Sequence, residues 1–162
     1  MNIEDMLAII TEEANAAGVP VDLARRIFGA ENFKGGQIPS SGTVRTDLES
    51  PKGARGVFQV MPQTQASLEK MGLVPPGLDP NDPRSSAKLG IATLKESLSR
   101  TGDVNATIAE YNGGTAARRA VQAGQQPPAA ETQRYMQNTG ASSMPTSPQT
   151  PTTPQVRTSI TK

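Results

Sequence analysis

The 162-residue chain contains no cysteine, no histidine and no tryptophan. Without cysteine there are no disulfides and no thiol nucleophiles, and without either residue there is no zinc site of the usual type. Missing histidine also removes Ser–His and Cys–His catalysis. Acid–base chemistry therefore falls to Asp, Glu, Lys or Tyr, and nothing in the chain calls for a metal or cofactor. Charge is nearly balanced at +1, so no basic field is present to hold nucleic acid or an anionic membrane. No apolar run approaches the ~20 residues of a membrane span. The first residues, MNIEDMLAII, carry acids where a signal peptide carries Lys or Arg. These absences lead to the expectation of a product made in the cytoplasm without a signal peptide.

Hydrophobic residues make up 35 % of the chain, below the globular average, and the shortfall is local. From Thr139 the text is Ser, Thr, Pro and Gln, with Pro145, Pro148, Pro151 and Pro154 spaced by three. That composition predicts a disordered tail or linker over 139–162. The tail holds Arg157 and Lys162 and no acid, leaving residues 1–138 with 14 bases against the 15 acids. Residues 1–138 contain enough Leu, Ile, Val, Met and Ala for one core and form the expected single domain.

Helical periodicity dominates that domain. Ile3, Met6, Leu7, Ile10 and Ala14 share a face and predict a helix over 3–17, stopped by Gly18. A second runs from Pro20 to Asn32 and a third from Pro62 to Met71. Asp82 caps a long helix ending at Gly102, and Asp103 caps another halted by Gly113 and Gly114. Two shorter helices follow, over 115–123 and 129–138. Residues 34–56 are rich in Gly, Ser and Pro, with Val44 and Leu48 among the few large apolar residues, and predict a long loop with at most a small hairpin. The expected architecture is all-α, about seven helices, with a minor β element in the 38–60 region.

Four segments carry candidate chemistry. Glu31 ends the second helix beside Phe28 and Phe33; a carboxyl held against such rings is desolvated and stays protonated as a general acid. Read alone, it is as ordinary as any solvated Glu. In SPKGARGVFQVMPQT, Ser50 to Thr64, the amide of Gln59 sits among Val57, Phe58, Val60 and Met61, where a polar group needs a partner or a ligand. IAEYNGG places Tyr111 and Asn112 at a helix end, where the ring offers a face to a sugar, although Asn-Gly-Gly also reads as a C-cap. ETQRYMQ carries Glu131 and Tyr135 on the closing helix. Arg118 and Arg119 read as a solvated face. All five aromatics, Phe28, Phe33, Phe58, Tyr111 and Tyr135, lie in or beside these segments.

In this order the segments resemble the soluble lytic transglycosylase family, whose fold is that of goose-type lysozyme. The family pattern Glu-Ser-x-Phe/Trp is met by AENF, and Ser-Pro-x-Gly-Ala-x-Gly-Leu-Met-Gln-x-Met-Pro by SPKGARGVFQVMP. Ala-Tyr-Asn-Ala/Gly-Gly is met by EYNGG, and Glu-Thr-x-x-Tyr by ETQRY. The second pattern is the most specific. The resemblance covers about residues 20–138 and implies a lysozyme-like fold around a peptidoglycan groove. It implies Glu31 as the acid/base, with Ser50, Gln59 and Met61 lining the groove near the cleaved bond. Tyr111 would orient the Glu or the sugar, Asn112 would shape that wall, and Glu131 and Tyr135 would close the far side. The implied partner is the peptidoglycan glycan strand, and the implied reaction is non-hydrolytic cleavage to 1,6-anhydromuramoyl ends, without a cofactor.

Three departures stand out. Asn32 replaces the Ser after the Glu, the stretch from Glu31 to Ser50 is longer than usual, and Glu110 replaces the Ala before the Tyr. The last admits an alternative, a hydrolytic muramidase in which Glu110 or Asp47 places a water. A non-catalytic wall-binding structural virion protein is the other alternative. The expected setting is a phage particle whose enzyme opens the wall during genome entry, with other virion proteins as further partners.

Overall fold

A computed structural model describes residues 1–141; of the tail expected at 139–162, residues 142–162 lie outside the described part. It contains α1 (Ile3–Ala17), α2 (Val21–Asn32), α3 (Pro62–Lys70), α4 (Pro83–Thr101), α5 (Val104–Gln122) and α6 (Ala130–Asn138), with a 3-10 turn at Lys34–Gly36.

The helix ends follow the local chemistry. Asn2 accepts the Glu4 N–H at 2.7 Å and starts α1, and Gly18 ends it in the left-handed region. Pro62 opens α3 at the position where a missing N–H costs nothing. Asp82 caps α4 through the Ser85 N–H at 2.9 Å, and Asp103 caps α5 through the Asn105 N–H at 2.8 Å. The two helices expected over 103–112 and 115–123 are one element broken at Gly114, whose φ of 70° and ψ of −161° are not helical. The described residues therefore hold six α-helices where periodicity counts seven.

α4 is the central helix, packed against α1, α2, α3 and α5. Leu89, Ile91 and Leu94 of α4 are buried with Ile3, Met6 and Ile10 of α1, Leu23, Ile27 and Phe28 of α2, and Ile108 of α5. Each large side chain so buried contributes about 1.5–3 kcal/mol against exposure. Phe58 lies over Gly90 of α4, where a Cβ would stand 2.3 Å from its ring. Glycine is needed there for the approach of the ring, since the backbone itself is helical.

The minor β element expected at 38–60 is reduced to isolated bridges, Glu49 with Arg55 and Arg55 with Val60. Paired residues this close in sequence make turns rather than a sheet. The long loop is also tied down at its middle: Asn2 bridges Thr43, the Ile3 N–H donates to Gly42 O at 3.0 Å, and the Val44 N–H donates to Met1 O at 2.9 Å. Its extra residues thus run to the start of α1, and Val44 is buried there. Among the described residues no helix is long and apolar enough to cross a membrane.

Candidate active site

Glu31 lies in the last turn of α2, and its half-buried carboxyl accepts a hydrogen bond from the Tyr135 hydroxyl of α6, 2.7 Å from Oε1. On the same helix end, Phe28 and Phe33 meet edge to face with centroids 5.7 Å apart, and Phe28 also contacts Phe58 at 6.4 Å. Burial pushes the Glu31 carboxyl up to about 7; the Tyr135 hydrogen bond pulls the other way, and the like charge of Glu131 pushes upward again. Near neutral pH the group therefore exchanges readily between acid and base forms.

Tyr111 lies beside it. Its hydroxyl donates to the Phe58 carbonyl oxygen at 2.5 Å. Burial, and then the Glu31 charge, pushes both Tyr111 and Tyr135 well above the usual phenol range, so both remain neutral donors. The cluster joins the end of α2, the loop at Phe58, α5 and α6. These are the four separate segments singled out in the sequence.

The 50–61 loop is held by its own polar groups. Ser50 Oγ accepts the Ala54 N–H at 3.0 Å, and Phe58 N–H donates to Ser86 Oγ of α4 at 3.3 Å. Gln59 stands at φ 49°, a left-handed conformation that costs a non-glycine residue energy. Its amide donates to Gly56 O at 2.8 Å and Leu48 O at 3.3 Å. The polar groups of Ser50 and Gln59 therefore hold the loop itself. Met61, half-buried, precedes Pro62 as the N-cap of α3. Asn112 is half-buried just before the break in α5, and Glu131 is exposed at the start of α6.

Several features were poorly marked in the sequence. Asn32 stands out there only as a departure from the family motif. In the structure its amide donates to Val57 O at 2.7 Å and Phe28 O at 2.8 Å, bolting the Glu31 helix to the loop, while its buried Oδ1 has no hydrogen-bond partner among the described residues. A cleft of about 200 Å³ is lined by Thr64, Thr93, Glu96, Ser97, Thr107, Glu110 and Tyr111. Thr64 is the last residue of the Ser50–Thr64 segment, which is a usable signal. Thr93 and Thr107 are single hydroxyls inside helices and carry none. A second, more apolar cavity of about 410 Å³ lies between α1, α4 and the turn at Leu73, Val74 and Pro75, and shares Glu96 with the cleft.

Both carboxylates named in the hydrolytic alternative are paired with arginines. Glu110 accepts from Ser97 Oγ at 2.9 Å and pairs with Arg100 and Arg118. Burial works against its ionised form, but the hydrogen bonds from Arg100 and Ser97 and the two guanidiniums hold it below the usual range. Arg118 is therefore pinned rather than part of a solvated face. Asp47 is exposed and paired with Arg45 at 3.2 Å, whose hydrogen bond and charge hold it low. The carboxylate whose charge acts on Glu31 is Glu131.

The site is thus a desolvated Glu at a helix end, beside two tyrosines, in a helical domain. The transglycosylase SLT domain family matches residues 10–134, and the chain belongs to it. It is 42 % identical over 79 residues to the transglycosylase of Enterobacteria phage PRD1, a match covering 49 % of this chain and 26 % of that protein. Its fold is similar to an inactive Glu-to-Gln mutant of the lytic transglycosylase Slt from Pseudomonas aeruginosa, with TM-score 0.67, 23 % identity, and coverage of 82 % of this chain and 22 % of the other. The 70-kDa soluble lytic transglycosylase of Escherichia coli gives TM-score 0.65 at 23 % identity and the same coverage. The matched region is about a quarter of the length of these relatives.

Proposed function

We propose that the chain is a peptidoglycan lytic transglycosylase in which Glu31 is the single acid/base. The observation that carries this reading is the Glu31 carboxyl itself, buried enough to titrate near 7 and held by Tyr135. An acid–base catalyst works best with a pKa near the working pH. The relatives named above as transglycosylases support the same class.

Protonated Glu31 gives its proton to the glycosidic oxygen between N-acetylmuramic acid and N-acetylglucosamine, and the bond from that oxygen to the anomeric carbon breaks. The 2-acetamido oxygen of the muramic ring meets the developing charge at that carbon. Glu31, now a carboxylate, takes the proton of the ring's 6-hydroxyl as that oxygen attacks the anomeric carbon and displaces the acetamide. A 1,6-anhydro end results, no water is consumed, and Glu31 regains its proton. Tyr135 and Glu131 act in opposite directions on the carboxyl and keep it usable in both steps. The cleft that Thr64 shares with Tyr111 extends the site and gives a sugar chain room beside the Tyr111 ring.

The hydrolytic alternative needs a second carboxylate to place a water. Glu110 and Asp47 are both tied to arginines, which favours the substrate's own acetamide as the partner. Mass analysis of the released sugars distinguishes anhydro from reducing ends.

The phage relative supports a finer reading: a virion-associated enzyme that opens the wall locally during genome entry, with other virion proteins as neighbours. Mass spectrometry of purified particles tests it, and absence of the chain from them contradicts it.

A further inference from the structure

Glu110 stands where the family pattern has Ala, yet it makes more charged contacts than any residue of the candidate site. It lies in the last turn before the break at Gly114, which divides α5 into residues 104–113 and 115–122. Ser97 and Arg100, both on α4, donate to it: Ser97 Oγ at 2.9 Å, Arg100 Nη1 at 3.1 Å, and Arg100 Nη2 closer still. Arg118 Nε, beyond the break, stands 2.6 Å from its Oε2 as an ion pair. Arg100 is itself held by Glu96 at 3.0 Å, and Arg118 by Gln122 at 3.2 Å. One carboxylate thus joins α4 to both halves of a broken helix.

The break bears directly on the tyrosines. Tyr111 follows Glu110 in sequence and reaches the Phe58 carbonyl. Gly113 is the seat of α6: a Cβ there would lie 2.6 Å from Thr132 Oγ1 and 2.6 Å from the Ala117 Cβ. Thr132 is one turn before Tyr135, which holds Glu31. The seat of α6 at Gly113 and the Tyr111 side chain thus both lie within three residues of the break at Gly114.

We infer that Glu110, with Arg100 and Arg118, is a positioning residue that fixes the bend of α5 and so orients Tyr111 and Tyr135 around Glu31. The inference rests on Glu31 being the working carboxyl. Ion pairs of this kind contribute little to stability when exposed. This one is part-buried and shared between three segments, so its effect is on geometry. A displacement of about 1 Å at a reacting group costs on the order of a hundredfold in rate.

The test uses the full chain with Glu110→Ala and Glu110→Gln. Glu31 is titrated through its ¹³C-labelled carboxyl, assigned by loss of the signal in Glu31→Gln, and kcat and KM are measured on purified peptidoglycan. In wild type the carboxyl is expected to titrate at about 7. In folded Glu110→Ala the midpoint is expected to move toward the ordinary carboxylate range as α6 loosens and water enters. The rate constant kcat is expected to fall ~10- to 100-fold with KM little changed. Glu110→Gln, which keeps a side chain for Ser97 but loses the charge, is expected to fall between. A folded Glu110→Ala chain whose Glu31 titrates as in wild type overturns the inference, whatever its stability. Should that variant fail to fold, Arg118→Gln, which frees only the far half of α5, is read in the same way, and an unmoved midpoint there overturns it. The titration needs no substrate. A wild-type chain that releases no anhydro ends therefore contradicts the functional reading without deciding this one.

Discussion

Tyr135 reaches back across 104 residues to place its hydroxyl 2.7 Å from Glu31 Oε1. This contact joins the first and last segments of the site, and it stabilises the carboxylate against the burial that favours the acid. Removing it with Tyr135→Phe is expected to raise the Glu31 midpoint above its value of about 7. The alkaline limb of the pH–rate profile should move up with it, while the maximal rate falls about tenfold through lost orientation. A profile that keeps its limb at the wild-type pH would contradict the role given to this hydroxyl.

Folding stability should carry the mark of Glu31. Its pKa is raised from 4.5 to about 7 in the folded chain, so the stabilising contribution is full below 4.5 and is lost as pH rises through about 7. By linkage the loss is at most about 3 kcal/mol. Glu110 has the opposite sign: its lowered pKa makes its contribution present above the unfolded value and lost as pH falls. Urea unfolding across this range should show the wild type weakening between pH 4.5 and neutral, and Glu31→Gln should remove that slope. An unchanged slope in the variant would assign the dependence elsewhere.

Gly90→Ala tests the packing beneath the loop. The added Cβ meets the Phe58 ring at 2.3 Å, and Phe58 also provides the carbonyl that Tyr111 binds. Overpacking of this kind costs about 1–3 kcal/mol. Thermal unfolding should show that loss together with reduced activity, and a neutral result would mean that the ring has room to move.

At Gln59, glycine should be tolerated better than alanine. Both substitutions lose the amide bonds to Gly56 O and Leu48 O, but only alanine keeps the strain of φ 49°. The difference should be about 1–2 kcal/mol in unfolding free energy. Equal destabilisation would show that the loop relaxes its backbone when the amide is lost.

Much of this was legible in the sequence because helices announce themselves locally. The buried stripe of α1, the caps at Asp82 and Asp103, and Pro62 at the start of α3 depend on residues a few positions apart. The break at Gly114 was legible as two helices, since a glycine pair reads as an end whether or not the chain resumes in line. The long loop was legible as a loop, but its docking was not: its middle is fixed by backbone pairing with Asn2 and Ile3, which leaves no side-chain pattern. Gln59 is marked because a polar group among apolar neighbours needs a partner, and Ser50 only through the family pattern. Which partners they find, loop carbonyls and amides, depends on a left-handed residue that composition does not reveal. Glu110 was visible as an anomaly, but its arginines come from α4 and from beyond the break. Only the folded chain brings Arg100 and Arg118 to it.

The central claim is that Glu31 alone acts as acid and then as base on a glycan. It is tested most directly by mass spectrometry of sugars released from purified peptidoglycan by the wild type and by Glu31→Gln. The expected result is fragments ending in 1,6-anhydromuramic acid from the wild type and none above background from the variant. Reducing ends in place of anhydro ends, or equal release by Glu31→Gln, would contradict it.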